Sequence, residues 1–311
     1  MSKILITGGA GYIGSVLVGK LLKEGHHIRV LDNFMYNQTS LSHLMHLKEL
    51  EVVCGDTRDE KTIEENIRNI EIIIPLAAMV GAPLCDRDQV AAQSTNYDAI
   101  ELILKLRKPK QKIIYPNTNS GYGIGAKNIY CDENTPLNPI SLYARTKVEA
   151  EKAILKNGNS VTLRLATVFG ASPRVRTDLL VNDFVYRAVK DKFIVLFEAH
   201  FKRNYIHVHD VARAFLHVIN NFEAMQGESY NVGLSDANLS KKELCETIKK
   251  YVHDFYFIEA EIGKDPDKRD YIVSNKKIEK TGFMTKYSLD DGIVELIKLY
   301  GTIKSNPHGN I

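Results

Sequence analysis

Lys3-Ile4-Leu5-Ile6-Thr7-Gly8-Gly9-Ala10-Gly11-Tyr12-Ile13-Gly14 decides the fold of this chain. An apolar, β-favouring run ends in glycines, and a helical apolar period starts at Ile13. Glycines let the backbone turn tightly between strand and helix. They also bring N–H groups to the helix N-terminus, where the helix dipole favours an anion such as a pyrophosphate. A glycine pattern alone is weak, since glycines mark ordinary turns too, but its context strengthens it. The next apolar run, Ile28-Arg29-Val30-Leu31, ends in Asp32, about twenty residues further on, where a carboxylate can accept hydrogen bonds from an adenosine ribose. That charge would repel a 2′-phosphate, and no arginine follows it directly, so the expected cofactor is NAD rather than NADP.

Outward from this turn, β-rich runs alternate with amphipathic ones. Strands are expected at Lys3–Thr7, His27–Asp32, Leu50–Gly55, Glu71–Leu76, Lys112–Pro116 and Ser160–Leu165, with helices at Ile13–Lys23, Lys61–Ile67, Val90–Lys105 and Tyr143–Leu155. Repeated βα units with right-handed crossovers give an α/β fold, a doubly wound parallel sheet of Rossmann type. After Gly170 the pattern becomes mixed, with helices expected near Leu179–Lys190, Val208–Asn221, Ser240–Val252 and Leu289–Tyr300. The expected organisation is a dinucleotide-binding domain over 1–170 that also carries the catalytic residues. A smaller, mixed substrate-binding region follows over 171–311, its chain crossing back to the first.

Composition narrows the function. A chain of 311 residues with 44% hydrophobic content is globular, and 41 basic against 38 acidic side chains leave a formal charge of +3. Such balance argues against nucleic acid or a membrane surface as partner. The start of the chain shows no signal-peptide pattern and no apolar run spans a membrane, so a cytoplasmic location is expected. Cys54, Cys85, Cys131 and Cys245 lie far apart, which suits reduced thiols and gives no metal site. The basic run Lys105, Arg107, Lys108, Lys110 and Lys112 is expected to be a solvated loop before a strand.

A tyrosine four residues before a lysine occurs three times: Tyr143/Lys147, Tyr186/Lys190 and Tyr300/Lys304. One helical turn puts both side chains on the same face, so an ammonium can favour the tyrosinate and lower its pKa. Only Tyr143/Lys147 lies on the helix after the fifth strand, near the strand ends where ligands of such sheets bind. The other two are expected to be helix-surface pairs. Thr118, just past that fifth strand, can hydrogen-bond both a substrate oxygen and the tyrosine. Asp56, after the third strand, can reach an adenine or serve as a turn residue. Ala77-Ala78, after the fourth, let a cofactor approach the backbone.

These motifs together resemble the extended short-chain dehydrogenase/reductase family, in its nucleotide-sugar epimerase, dehydratase and dehydrogenase branch. The resemblance covers nearly the whole chain. It rests on TGGAGYIG with Asp32, the Thr118 loop ending Gly121-Tyr122-Gly123, Tyr143-x-x-x-Lys147, Arg164-Leu165-Ala166-Thr167-Val168-Phe169-Gly170, and Arg203-Asn204-Tyr205-Ile206-His207-Val208 with Asp210. It implies that Tyr143 is the general base, that Lys147 tunes it and holds the nicotinamide ribose, and that Thr118 orients the reacting hydroxyl. It also implies that Asn182, Arg203 and Arg269 clamp the substrate diphosphate. From the residues alone those arginines are equally surface or ion-pair residues, and Asn182 a helix cap. The candidate cofactor-binding set is Gly8, Gly11, Tyr12, Ile13, Gly14, Asp32, Asn33, Asp56, Thr57, Leu76, Ala77, Ala78, Asn96, Tyr143 and Lys147. The candidate substrate-binding set is Thr118, Asn119, Ser120, Asn182, Arg203 and Arg269.

Three departures from the family pattern matter. Pro75 stands where histidine is frequent, Thr167 where many members have asparagine, and Asn119-Ser120 where the 4,6-dehydratases carry Asp-Glu. An amide and a hydroxyl cannot do that acid–base work at neutral pH, so dehydration is not expected. What remains is oxidation at C4 of a nucleotide-linked sugar, either with release of the ketone or with hydride return as epimerisation. PLAAMVGAPLC, YPNTNSGYGIG, LATVFG, RTDLLVNDF and DPDKRDY are similar to stretches of the GDP-D-glycero-α-D-manno-heptose 4-dehydrogenases of capsule synthesis. A GDP-linked sugar is therefore the expected substrate and a UDP- or GDP-sugar 4-epimerase the runner-up. A non-catalytic NAD-binding sensor or scaffold is the alternative of another class, disfavoured by the intact Thr118, Tyr143 and Lys147. The family also implies a homodimer through Val90–Lys105 and Tyr143–Leu155.

Overall fold

The computed structural model describes residues 1–260 and 268–303. Its first half runs β1 (Lys3–Thr7), α1 (Tyr12–Lys23), β2 (His27–Asp32), β3 (Leu50–Cys54), α2 (Glu60–Asn66), β4 (Ile72–Pro75), α3 (Ala82–Arg87), α4 (Gln89–Gln93), α5 (Ala99–Leu106), β5 (Lys112–Thr118), β6 (Tyr130–Cys131), α6 (Leu142–Asn157) and β7 (Ser160–Leu165). Then come β8 (Thr167–Phe169), α7 (Leu180–Lys190), β9 (Phe193–Leu196), β10 (Lys202–His207), α8 (Val208–Asn220), α9 (Phe222–Met225), β11 (Ser229–Val232), β12 (Asn238–Ser240), α10 (Lys241–Lys249), β13 (Tyr256–Glu259), β14 (Ile272–Val273), α11 (Lys276–Glu279) and α12 (Leu289–Thr302).

Seven parallel strands form the main sheet in the order β11-β7-β5-β4-β1-β2-β3, the expected doubly wound arrangement. Ile4, Leu5 and Ile6 are wholly buried, because a parallel sheet with helices on both sides buries both faces of its strands. Ile4 and Ile6 join α1 and α8 in one core, and Leu5 joins α2, α5 and α6 in another. Strand order reverses between β1 and β4, which opens a crevice beyond their C-terminal ends.

The second region builds its own core from Val181, Val185, Tyr205, Leu244, Ile248, Phe255, Ile293 and Leu296. A short sheet, β12-β10-β8, lies within it. The chain also returns to the first region. β11 pairs with β7 as an edge strand of the main sheet, and α8 packs in the core beneath α1.

Three expectations are corrected. The helix over Val90–Lys105 is interrupted: a π-helical turn at Ser94–Asp98 separates α4 from α5. Inside it, Asn96 turns inward to accept from Met79 N at 2.8 Å and to donate to Met79 O at 3.0 Å. Apolar period alone cannot reveal such an insertion. The basic run is not uniformly solvated, since Arg107 is buried and its guanidinium donates to the carbonyls of Gln111 and Gly158, each at 2.6 Å. Tyr300 is not a surface residue: it is wholly buried edge-on against Tyr186, ring centres 5.3 Å apart. Lys304 lies outside the described residues.

A polar seam joins the two regions at the first turn of α1. Tyr12 donates its hydroxyl to Gly170 O at 2.7 Å, Ser172 donates to Tyr12 O at 2.7 Å, and the Ser15 and Ser172 hydroxyls lie 3.0 Å apart. All are buried. Tyr12→Phe removes a buried donor from a carbonyl and is expected to cost about 1–2 kcal/mol, read as a drop in the urea midpoint. An unchanged midpoint would show that the seam adds nothing to stability.

Candidate active site

The glycine turn sits in the crevice because little else fits there. Gly8 has φ +68°, and a Cβ on it would meet Ala77 N at 2.6 Å; a Cβ on Gly14 would meet Gly8 O and Gly9 Cα, each at 2.6 Å. These two positions fold the turn against β4 and against itself. Gly11 is different: its Cβ would touch only Gly8 O, at 3.1 Å. It caps α1 without a side chain, and no acidic residue lies in the first helical turn, so the α1 N-terminus presents unneutralised N–H dipoles.

Asp32 closes the turn from the side. Its carboxylate accepts from Ala10 N at 3.0 Å, Phe34 N at 2.9 Å and Gln38 Nε2 at 3.2 Å; burial raises its pKa and these bonds oppose the rise. Asn33 accepts from Met35 N at 3.2 Å. Asp56 is held by Arg58, with 2.6 Å between Oδ2 and Nη2, and the guanidinium keeps its pKa low. Thr57 is buried beside it. Leu76, Ala77 and Ala78 leave β4 alongside β1, with Leu76 N on Thr7 O at 2.9 Å and Ala77 N on Thr7 Oγ1 at 3.3 Å. Asn96 is buried and fixes the loop that follows. An uncapped helix, an acid on β2 and small residues on the facing strand fit a dinucleotide.

Across the crevice, Ser141 caps α6 by accepting from Ala144 N at 3.2 Å, which places Tyr143 in the first turn and Lys147 one turn later. Thr118 ends β5, accepts from Ser120 N at 3.1 Å and lies 2.9 Å from Ser120 Oγ. It also lies near enough to the Tyr143 phenol to lower its pKa, and Arg269 reaches Ser120 Oγ. Thr118, Ser120, Tyr143 and Arg269 thus come together. Asn119, between them in sequence, is buried, and its amide has no hydrogen-bond partner among the described residues.

The tyrosine–lysine pair behaves differently from the simple expectation. Tyr143 is half-buried by surface area, yet protein crowding around its hydroxyl pushes the phenol up to about 12, opposed by the nearby charges of Arg269 and Arg176 and by Thr118. Burial pushes Lys147 down to about 7, opposed by Glu151, and its Nζ lies 4.0 Å from the Tyr115 ring centre. Desolvation penalises both charged forms and outweighs their mutual attraction.

The remaining candidates, Asn182 and Arg203, are buried in the second region. Asn182 lies in the seam, its amide accepting from Gly170 N at 3.1 Å and donating to Arg176 O at 2.8 Å. Arg203 is buried on β10, its guanidinium 5.6 Å from the Tyr271 ring centre. Two features escaped the sequence reading. Arg176, paired with Asp178 at 2.6 Å, comes near enough to influence both Tyr12 and Tyr143. Glu151 forms a buried ion pair with Arg164 at 2.7 Å. A glutamate eight residues after Tyr143 was the available signal for the second; nothing in the polar stretch around Arg176 predicted its place.

Comparison with known proteins agrees with this geometry. A profile of the NAD dependent epimerase/dehydratase family matches residues 4–233. The chain belongs to this family. It is an NAD-dependent enzyme of the extended short-chain dehydrogenase/reductase type, and NAD is the family's cofactor. A putative UDP-glucose 4-epimerase of Methanocaldococcus jannaschii is 26% identical, covering 94% of this chain and 97% of its own length. The UDP-glucose 4-epimerase of Halalkalibacterium halodurans is 28% identical, covering 98% and 97%. Among solved structures, the Thermus thermophilus UDP-glucose 4-epimerase complex with NAD superposes with a TM-score of 0.83 at 23% identity, over 96% of this chain and 99% of that one, which shows a shared fold. Among the described residues no helix is long and apolar enough to cross a membrane, and no cluster of histidine, cysteine or acidic side chains could hold a metal.

Two outcomes follow for this family member. Gly14→Ala is expected to lower the melting temperature by several degrees, whereas Gly11→Ala should keep it and weaken NAD binding. Equal effects on both readouts would refute the division of labour. Lys147, with its pKa lowered to about 7, lacks a proton that the unfolded chain still binds up to about pH 10. Its contribution to stability therefore rises with pH across that window. The stability advantage of Lys147→Met over wild type should accordingly shrink between pH 7 and pH 9.5, measured by urea unfolding; a growing advantage would contradict the shift.

Proposed function

We propose that this enzyme oxidises C4 of a nucleotide-linked sugar to the ketone, its substrate being GDP-D-glycero-α-D-manno-heptose in the cytoplasmic synthesis of capsular polysaccharide. The observation that carries the oxidation is that Tyr143 lies close enough to Thr118 for that side chain to act on its phenol, one turn before a buried Lys147 and beside the dinucleotide crevice. Asn119 and Ser120 follow Thr118 in place of an acid pair, so the site can oxidise without also removing water. The heptose and the guanine base rest on the local sequence similarities around Pro75–Cys85 and Tyr115–Gly125.

In this mechanism Tyr143 removes the proton of the 4-hydroxyl, and Thr118 holds the same oxygen as charge develops on it. Bound NAD would supply the two-electron acceptor, so that oxidation of the alcohol to the ketone is balanced by its reduction and by the proton that Tyr143 removes. Lys147 holds the nicotinamide ribose and, when charged, favours the phenolate. Arg203 and Arg269 take the substrate diphosphate, for which a guanidinium fork is suited. Asn182 holds the segment from Gly170 to Arg176 in place beside them. The enzyme works as a homodimer paired through α4, α5 and α6.

The second reading is 4-epimerisation of a UDP- or GDP-sugar, favoured by the epimerases among its relatives. Incubation with NAD and GDP-heptose, GDP-mannose or UDP-glucose in ordinary and in heavy-oxygen water separates the two. Loss of two daltons in ordinary water, cancelled by oxygen exchange at C4 in heavy-oxygen water, is the expected result for the heptose; unchanged mass in both waters with an inverted C4 by NMR would make the enzyme an epimerase. Tyr143→Phe should lower turnover by about 10²–10⁴-fold, the range of a lost general base, with NAD affinity retained. Undiminished turnover removes Tyr143 from the mechanism.

A further inference from the structure

α6 carries Tyr143, Lys147 and Glu151 at four-residue intervals, which aligns the three side chains along one face. Lys147 and Glu151 are both buried. A buried ammonium with a carboxylate one turn away would ordinarily pair with it, yet Lys147 makes no hydrogen bond among the described residues and rests only on the Tyr115 ring. Glu151 is engaged elsewhere. Arg164 on β7 donates to its Oε1 through Nη2 at 2.7 Å and Nε at 3.0 Å, while Oε2 accepts from Asn117 Nδ2 at 2.6 Å and from the Thr162 hydroxyl at 3.1 Å.

The guanidinium is itself fixed from behind. Its Nη1 donates to the Tyr122 hydroxyl at 3.1 Å and to Glu133 O at 3.3 Å, and that hydroxyl lies 2.8 Å from Asn231 Oδ1 on β11. A charge-assisted fork clamped at both ends holds a carboxylate more firmly than one flexible ammonium can.

We infer that Arg164 is a positioning residue for the reaction: by occupying Glu151 it keeps that carboxylate off Lys147 and leaves the ammonium free for the cofactor ribose and for Tyr143. This rests on the role given to Lys147 above. Without the guanidinium, Glu151 would become a buried, uncompensated charge one turn from the lysine, and the two would close on each other. Lys147 would then be held protonated but turned away from the crevice. Besides Lys147, α6 carries Tyr143, Arg145, Glu149, Glu151, Lys152 and Lys156, and the elements packed against it carry Lys112 and Tyr115 on β5, Tyr122 in the turn after it, Arg164 on β7, Tyr97 and Asp98 in the π-helical turn, Cys85, Asp86 and Arg87 on α3, and Glu101 and Lys105 on α5. Of the carboxylates among them, Asp86, Asp98, Glu101 and Glu149 are exposed and Glu151 is buried, so it is the group the arginine must restrain.

The test follows Lys147 directly, by NMR titration of the full chain with ¹³C-labelled lysine, its resonance assigned by its loss in Lys147→Met. In wild type it should titrate below the other lysines. Arg164→Met should raise its midpoint by about one unit or more and weaken NAD binding about tenfold or more. Glu151→Gln should move the midpoint down, and the double variant Arg164→Met/Glu151→Gln should restore both readouts toward wild type. A folded Arg164→Met protein with an unmoved Lys147, or a double variant that restores neither readout, overturns the inference. Where Arg164→Met does not fold, Glu151→Gln and Arg164→Lys decide. The first must lower the Lys147 midpoint and the second raise it less than one unit; no movement in either is a refutation. Because none of these readouts needs a sugar, the positioning role can stand if the proposed substrate proves wrong.

Discussion

Close packing of backbone against backbone where the sheet reverses its strand order is the constraint on which the rest of this structure depends. Gly8 lies against Ala77, and Gly14 against Gly8 and Gly9, with no room for a methyl group at either position. That proximity brings the α1 N-terminus to the rim of the crevice and stations the loop after β4 beside it. Asp32 then holds the turn from the flank through the amide of Ala10. The cofactor groove is thus a product of steric economy first and of charge second. A bulkier residue in the turn would lift α1 from the sheet before it could disturb any ligand contact.

Charge becomes decisive on the opposite wall. Tyr143 and Lys147 share a helix face, but burial raises one pKa and lowers the other, so near neutral pH the phenol keeps its proton and the lysine holds its own only in part. Such a pair is poised rather than committed. A positive charge placed beside the phenol shifts it toward phenolate, and Arg269 and Arg176 already push in that direction. The buried Glu151–Arg164 pair sets the background against which these shifts occur. It is an arrangement costly to dehydrate, retained next to the residues whose protonation matters most.

Much of this could be read from the sequence, and the limits have physical causes. β1, β2 and β7 match their expected bounds to the residue; β1 reads as an apolar run because its strand is buried on both faces, whereas β7 reads by the alternation of Val161, Leu163 and Leu165 with polar residues. The turn glycines and the Tyr143–Lys147 spacing were legible because each depends on contacts only a few residues apart in sequence. The π-helical turn around Asn96 was not, since one extra residue in a helix barely disturbs its apolar period. Nor was Arg176, whose approach to Tyr143 depends on how a polar segment folds back over the first region. The pKa directions were misjudged for a related reason. Spacing shows that a lysine can reach a tyrosine, but desolvation depends on everything packed around them.

The return of β11 and α8 to the main sheet separates two kinds of boundary. By chemistry, the chain changes character after Gly170: before it lie the glycine turn and Tyr143, after it the arginines at 174, 176, 203 and 269. By architecture, no cut falls there. A fragment ending at Gly170 would leave β7 as an unpaired edge and expose the apolar face that α8 covers, both of which invite association with other chains. The first 170 residues are therefore completed by a strand and a helix encoded in the region that follows them. Exchange of second regions between relatives would have to carry Val208–Asn220 and Ser229–Val232 with the first half of the chain, although they lie far beyond it in sequence.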